Sequence, residues 1–125
     1  MAENISTASL AYLGDAVFEL MIREKLIRGN IPFKLLNQLA AKYVSAPAQS
    51  AIYHRIFPIL TEDEKLIIKR GRNLHQNSRS KSANVSEYRH ATGLEVLFGH
   101  LYLYEKHERL KEIFLLCIED VRENG

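Results

Sequence analysis

The sequence predicts an all-α fold in a single domain. Three observations carry this. Apolar residues recur at three- and four-residue spacings along nearly the whole chain, and cap residues, glycines and prolines interrupt that pattern at helix-length intervals. No stretch keeps the strict alternation of a half-buried strand. At 125 residues the chain fits one core, and its apolar (46%) and charged (26%) fractions are those of a globular body rather than a disordered one.

Leu10, Leu13, Val17, Leu20, Met21 and Ile27 outline the first helix. Thr7 or Ser9 can cap its start and Gly29-Asn30 ends it. Pro32 fits the first turn of a second helix, which runs through Leu35, Leu36, Leu39 and Ala40 to about Tyr43. Ser45 and Pro47 open a third, and Pro58 stops it. Thr61-Glu-Asp-Glu64 reads as a capping box, with three acids where the helix dipole favours them, for a fourth helix to about Arg72. Residues 73–85 are polar, rich in Ser and Asn, and read as a loop of a length that is often functional. Helix resumes near Ser86 and continues through Ala91, Leu94, Leu97, Phe98 and Leu101 to about Lys106. A last amphipathic helix covers about Glu108 to Arg122.

The composition excludes several classes. One cysteine, Cys117 in an apolar run, forms no internal disulfide and reads as a small buried hydrophobe in a reducing compartment. The N-terminus carries Glu3 and no cationic region ahead of an apolar core, so it does not read as a signal peptide. No apolar run approaches the roughly 20 residues of a membrane span. The expectation is a cytoplasmic protein with no membrane partner.

Net charge is only +2, but it is unevenly placed. Residues 69–90 hold Lys69, Arg70, Arg72, Arg79, Lys81 and Arg89 against Glu87 alone, which is +5, and the remaining eleven bases and fourteen acids leave −3. A basic segment on a mildly acidic body suits a polyanionic partner, although a solvated loop has the same composition.

Two carboxylates stand out because they interrupt apolar helical runs. Asp15 lies in Leu10-Ala-Tyr-Leu-Gly-Asp-Ala-Val-Phe-Glu19, and Glu95 in Ala91-Thr-Gly-Leu-Glu-Val-Leu-Phe-Gly99. A buried charge is costly unless it is paired or holds a metal. Glycines beside both acids, each costing about 1 kcal/mol in mid-helix, suggest that two helices approach closely there. One reading pairs each acid with a basic neighbour such as Arg23, Arg89 or His90. The other places a shared Mg²⁺ or Mn²⁺ between them, since these cations take one or two carboxylates together with water and phosphate oxygens. Such an ion makes water easier to deprotonate and neutralises charge on a phosphoryl group, as a phosphodiesterase requires. Glu19, one turn beyond Asp15, is spaced to reach toward the same point as a supporting acid, or to form an ion pair at the surface.

Leu-Gly-Asp-Ala-Val-Phe-Glu-Leu (13–20) resembles the signature helix of ribonuclease III, and Leu-Glu-Val-Leu-Phe-Gly-His-Leu-Tyr-Leu (94–103) resembles the second acidic motif of that family. Leu10-Ala-Tyr-Leu-Gly, Lys69-Arg-Gly-Arg-Asn73, Tyr88-Arg-His-Ala-Thr-Gly93 and the chain length point to the short branch, Mini-ribonuclease III, which has no separate double-stranded-RNA-binding domain. The resemblance implies a symmetric homodimer with one active centre per subunit. Each centre would cut one strand of double-stranded RNA, leaving 5′-phosphate and 3′-hydroxyl ends. It also implies a ribosomal RNA precursor of the large subunit as substrate, with a ribosomal protein as a further candidate partner.

Only Asp15 and Glu95 carry over as metal ligands. Where ribonuclease III proper has further acids, this chain has Ala8, Ala11 and Thr92, so the site is reduced to a single core cation. Lys69, Arg70, Arg72, Arg79, Lys81 and Arg89 are the expected RNA-binding groups, with Arg70 and Arg72 also placed to cap helix carbonyls. Tyr12, Tyr88, Tyr102 and Tyr104 read as core-edge residues. The competing reading is a non-catalytic helical RNA-binding or ribosome-associated module in which Asp15 and Glu95 only pair with basic neighbours.

Overall fold

The computed structural model describes residues 4–74 and 85–124, with side chains described to Ile118. Among the described residues six helices run in the order α1 (Thr7–Arg28), α2 (Leu36–Val44), α3 (Ala46–Ile56), α4 (Glu62–Arg72), α5 (Val85–Leu103) and α6 (His107–Asn124). Short 3₁₀ turns, Phe33–Leu35 and Phe57–Ile59, lead into α2 and follow α3. The described residues contain no strand.

The caps explain most of the boundaries. Thr61 accepts from the Glu64 N–H at 3.1 Å, and the Glu64 carboxylate accepts from the Thr61 N–H at 2.9 Å, so the expected capping box is formed. Ser45 caps α3 by accepting from the Ala48 N–H. The cap of α1 is Ser6, which accepts from the Ser9 N–H at 3.0 Å, and not Thr7 or Ser9 as expected. Pro32 lies just ahead of a 3₁₀ turn rather than inside an α-helical turn, so α2 starts only at Leu36. Asn30, in the left-handed region with φ 62°, turns the chain after α1.

α5 is the centre of the molecule. Ala91, Gly93, Leu94, Val96, Leu97, Phe98, Gly99 and Leu101 are buried, which covers nearly every side of the helix, and it packs against α1, α3, α4 and α6. Phe98 meets Phe18 edge-to-face at 5.1 Å between centroids, and Phe18 meets Phe114 of α6 at 6.4 Å. The inward stripe of α1 is Leu10, Val17, Phe18, Ile22 and Leu26. Leu20 and Ile27, expected on that stripe, are exposed instead, and with Tyr12 they leave a second apolar face in contact with solvent. Cys117 is fully buried, and burial pushes its thiol up to about 12, so it is an inert core residue as expected.

Glycines set two of the helix approaches. A Cβ on Gly14 would overlap the Glu95 carbonyl oxygen and lie 2.8 Å from the Gly99 nitrogen, and one on Gly99 would run into the Leu10 carbonyl. α1 and α5 therefore meet backbone to backbone. The α4–α5 approach repeats the device, with Gly71 against Gly93 and Val96.

Candidate active site

The α1–α5 contact carries the two carboxylates. Gly14 brings α1 against the Glu95 backbone, and Asp15, the next residue, lines one cleft with Glu95, close enough for its charge to act on it. Ala8, Ala11, Tyr12 and Asp15 form one face of α1 at helical spacing, and Tyr88, Ala91, Thr92 and Glu95 form one face of α5. Together with Leu74 they line an open cleft of about 370 Å³. The small side chains of Ala8, Ala11, Ala91 and Thr92 account for the free space above the acids. Ala8, Ala11 and Thr92 are the three positions at which the sequence lacks the further acids of ribonuclease III proper, and the structure brings all three to this cleft. The Thr92 hydroxyl donates to the Tyr88 carbonyl of its own helix at 3.0 Å.

Asp15 is exposed and Glu95 is half-buried. Burial, and then the negative charge of Asp15, push Glu95 up to about 7. Like charges facing each other raise the energy of the doubly ionised pair, and a shared cation reverses that sign. No group among the described residues does so here. Arg23 pairs with Glu19 at 2.9 Å, His90 shares a hydrogen bond with the Ser50 hydroxyl at 3.1 Å, and Arg89 is exposed outside the cleft lining. Neither acid has an ion-pair or hydrogen-bond partner among the described residues. The pairing of these acids with Arg23, Arg89 or His90 is thus absent. Glu19 lies in its ion pair with Arg23 and does not line the cleft.

The donor set fits a hard divalent cation. Two carboxylates converge from facing helices with open space above them, and no group of three or more His, Cys, Asp or Glu among the described residues could form a closed cage. Such a donor set would suit an ion that takes its remaining ligands from water and substrate, as Mg²⁺ and Mn²⁺ do.

Without metal, the buried charge has a cost that depends on pH. At pH 4 Glu95 is protonated in both folded and unfolded chains and the cost is absent. Between the ordinary 4.5 and about 7 the unfolded chain releases the proton while the folded one keeps it, so stability falls as pH rises, and above 7 the loss is complete. Glu95→Gln is expected to remove this slope and to stabilise the metal-free protein at pH 8 by about 1–3 kcal/mol, discounted for partial solvent access. Urea titrations at pH 5 and pH 8 measure it. Divalent cation should then raise the melting temperature of the wild type, and not that of the variant, at pH 8.

The basic groups are spread over several surfaces. The Lys69 ammonium sits 5.6 Å from the Phe57 ring centroid. Arg72 reaches the Asn73 side chain at 3.3 Å and the Tyr53 hydroxyl at 3.4 Å rather than the helix carbonyls. Arg70 lines a different groove, against α5 and the start of α6. Arg79 and Lys81 lie outside the described residues, as does most of the loop that holds them. Tyr12 (85% exposed) and Tyr88 (54% exposed) are not core-edge residues but stand at the cleft rim. Their spacing was the available signal, because Tyr12 is three residues before Asp15 and Tyr88 seven before Glu95, on the same helical faces.

Residues 8–106 match the Ribonuclease III domain family, and the chain belongs to that family. It is 43% identical over 121 residues to a Mini-ribonuclease 3 of Thermoanaerobacter sp., covering 96% of this chain and 85% of the relative. It is 45% identical over 118 residues to a Mini-ribonuclease 3 of Symbiobacterium thermophilum, covering 94% and 90%. A crystal structure of a protein from Fusobacterium nucleatum, 37% identical, superposes with a TM-score of 0.85 over 98% of this chain and 94% of that one. Family and relatives together indicate an RNA endonuclease.

Proposed function

We propose that this protein is a divalent-cation-dependent endonuclease of double-stranded RNA, with Asp15 and Glu95 holding Mg²⁺ and Mn²⁺ able to substitute. The observation that carries the reading is the convergence of these two acids in an open cleft, with no cation between them among the described residues. When bound, the ion lowers the pKa of water and neutralises the phosphoryl charge. Asp15 supplies a carboxylate that stays in contact with solvent. Glu95 supplies one that must first release its proton, so metal affinity weakens as pH falls below about 7. The short side chains of Ala8 and Ala11 leave room for a phosphodiester over the acids, and Tyr12 and Tyr88 flank it with hydroxyls suited to ribose and phosphate oxygens. Water adds to phosphorus and the P–O3′ bond breaks, which gives a 5′-phosphate and a 3′-hydroxyl.

The reading extends to one ribonuclease III-like domain over residues 1–125, paired in a symmetric homodimer whose two clefts each cut one strand. The exposed Leu20 and Ile27 of α1 support burial against a second copy. Lys69, Arg70, Arg72, Arg79, Lys81 and Arg89 contribute phosphate contacts. The substrate is the large-subunit (23S) ribosomal RNA precursor in the cytoplasm, with a ribosomal protein as an additional partner. Among the described residues no helix is long and apolar enough to cross a membrane.

Incubation of an end-labelled RNA duplex and its separated strands with the protein tests the catalytic core of this reading. Mg²⁺ should produce discrete duplex products, EDTA should abolish them, and Mn²⁺ added in excess should restore them, with single strands left intact. Products that persist after chelation, or an uncut duplex under both metals, would overturn it.

A further inference from the structure

A second groove, separate from the catalytic cleft, runs between α4 and the α5–α6 turn, with a volume of about 660 Å³. Arg70 of α4, His100 of α5 and Lys106 of the turn line it together. The turn is built to place Lys106 there. Glu105 adopts the left-handed region at φ 59°, which side chains other than glycine and asparagine rarely enter, and the chain folds back so that the Lys106 N–H donates to the Leu101 carbonyl at 2.8 Å. Lys106 is thereby held beside the His100 end of α5.

The three groups are not neutralised by the protein. None of them has a carboxylate within ion-pair distance among the described residues. His100 is kept below its ordinary range by burial and by the positive charges of Lys106 and Arg70. The acids of the groove lie toward the other end. Glu64 is held by Arg109 through two bonds of 2.8 Å and by the Thr61 N–H, so its charge is satisfied. Asp63 is exposed two turns of α4 before Arg70, about 10 Å along the axis. One end of the groove therefore presents two cations, Arg70 and Lys106, beside an imidazole that burial and their charges keep neutral.

We infer that Arg70, His100 and Lys106 form a phosphate-binding site that holds a backbone phosphate of duplex RNA away from the catalytic cleft. The inference rests on the proposed function for its choice of duplex. A phosphate accepts a hydrogen bond from each of the three groups and relieves the repulsion between the Arg70 and Lys106 charges. Arg70, in the last turn of α4, lines this groove, and Leu74, two residues past the end of α4, lines the cleft, so the C-terminal end of α4 lies between the two.

The experiment is a duplex-binding titration with EDTA present, from 50 to 200 mM salt, on wild type, Lys106→Gln and Lys106→Arg. Loss of one phosphate contact should lower the slope of log affinity against log salt by about 1 per chain. For each chain in contact with the duplex, the Gln variant should then lose roughly 3- to 4-fold more affinity at 50 mM than at 200 mM salt. Lys106→Arg should regain the wild-type slope, which a mere folding defect would not reproduce. A Gln variant with the wild-type slope overturns the proposal, and duplex cleavage by the wild type would leave the nuclease reading intact. If the wild type neither binds nor cuts the duplex, the nuclease reading fails by itself. Inorganic phosphate then decides for this groove. A saturable shift of the His100 ring resonances, absent in Arg70→Gln, supports a phosphate site, and unmoved resonances overturn it.

Discussion

Asp15→Asn is expected to reduce duplex cleavage by at least about 10³-fold while duplex binding is kept. The substitution preserves shape and removes one of the two anionic ligands proposed for the cation, so the expected loss is that of the cation and of the several kcal/mol of transition-state stabilisation it would supply. Binding should hold, or tighten slightly, because a negative charge facing the phosphate is gone. The same change relieves Glu95, whose proton is held partly by the charge of Asp15. Single-turnover cleavage and filter binding on the same preparation separate the two effects. Equal losses of binding and cleavage would mean that Asp15 shapes the fold rather than the chemistry.

Gly14→Ala is expected to be the most destabilising single-methyl change in the α1–α5 contact. The added carbon overlaps the Glu95 carbonyl oxygen, which is backbone and cannot rotate away, and Gly99 blocks the nearest alternative. The helices must separate, with the buried Phe18–Phe98 contact between them. Overpacking of this kind costs about 3 kcal/mol or more where backbone must move, equivalent to a fall in Tm of roughly 10 °C for a chain of this size. Thermal melts followed by circular dichroism measure it. A variant that folds with the wild-type Tm would show that the two backbones do not meet.

The elements that stood out in the sequence are those whose signals are local. The capping box at Thr61–Glu64 and the cap at Ser45 depend on residues within one turn, and both formed as read. The closeness of α1 and α5 was legible from glycines placed beside buried-looking acids, because only a backbone approach accounts for so costly a choice. The long-range parts were less legible. Leu20 and Ile27 share apolar character with the core stripe but fall off it by a fraction of a turn, which hydrophobicity alone does not resolve. The helical spacings of Tyr12 and Tyr88 suit a core edge as well as a cleft, and it is their register with Asp15 and Glu95 that places them at the cleft. The fate of Arg23 depended on Glu19, four residues away on an exposed face, and that local pair won over any reach to Asp15. The basic residues near the end of α4 are contiguous in sequence, yet a helix turns each by about 100°, so Arg70 and Arg72 face different neighbours.

The meeting of Gly14 with the Glu95 carbonyl has a consequence for how the molecule comes apart. Catalytic side chains on loops can be lost by fraying while the rest of a domain stays intact. Here the two acids stand on interior turns of the two longest helices, at their tightest crossing, so no partial opening at a terminus draws them apart. Amide hydrogens near positions 14 and 95–99 should exchange only when the entire body unfolds, and heat inactivation should track global melting without an earlier, separate phase.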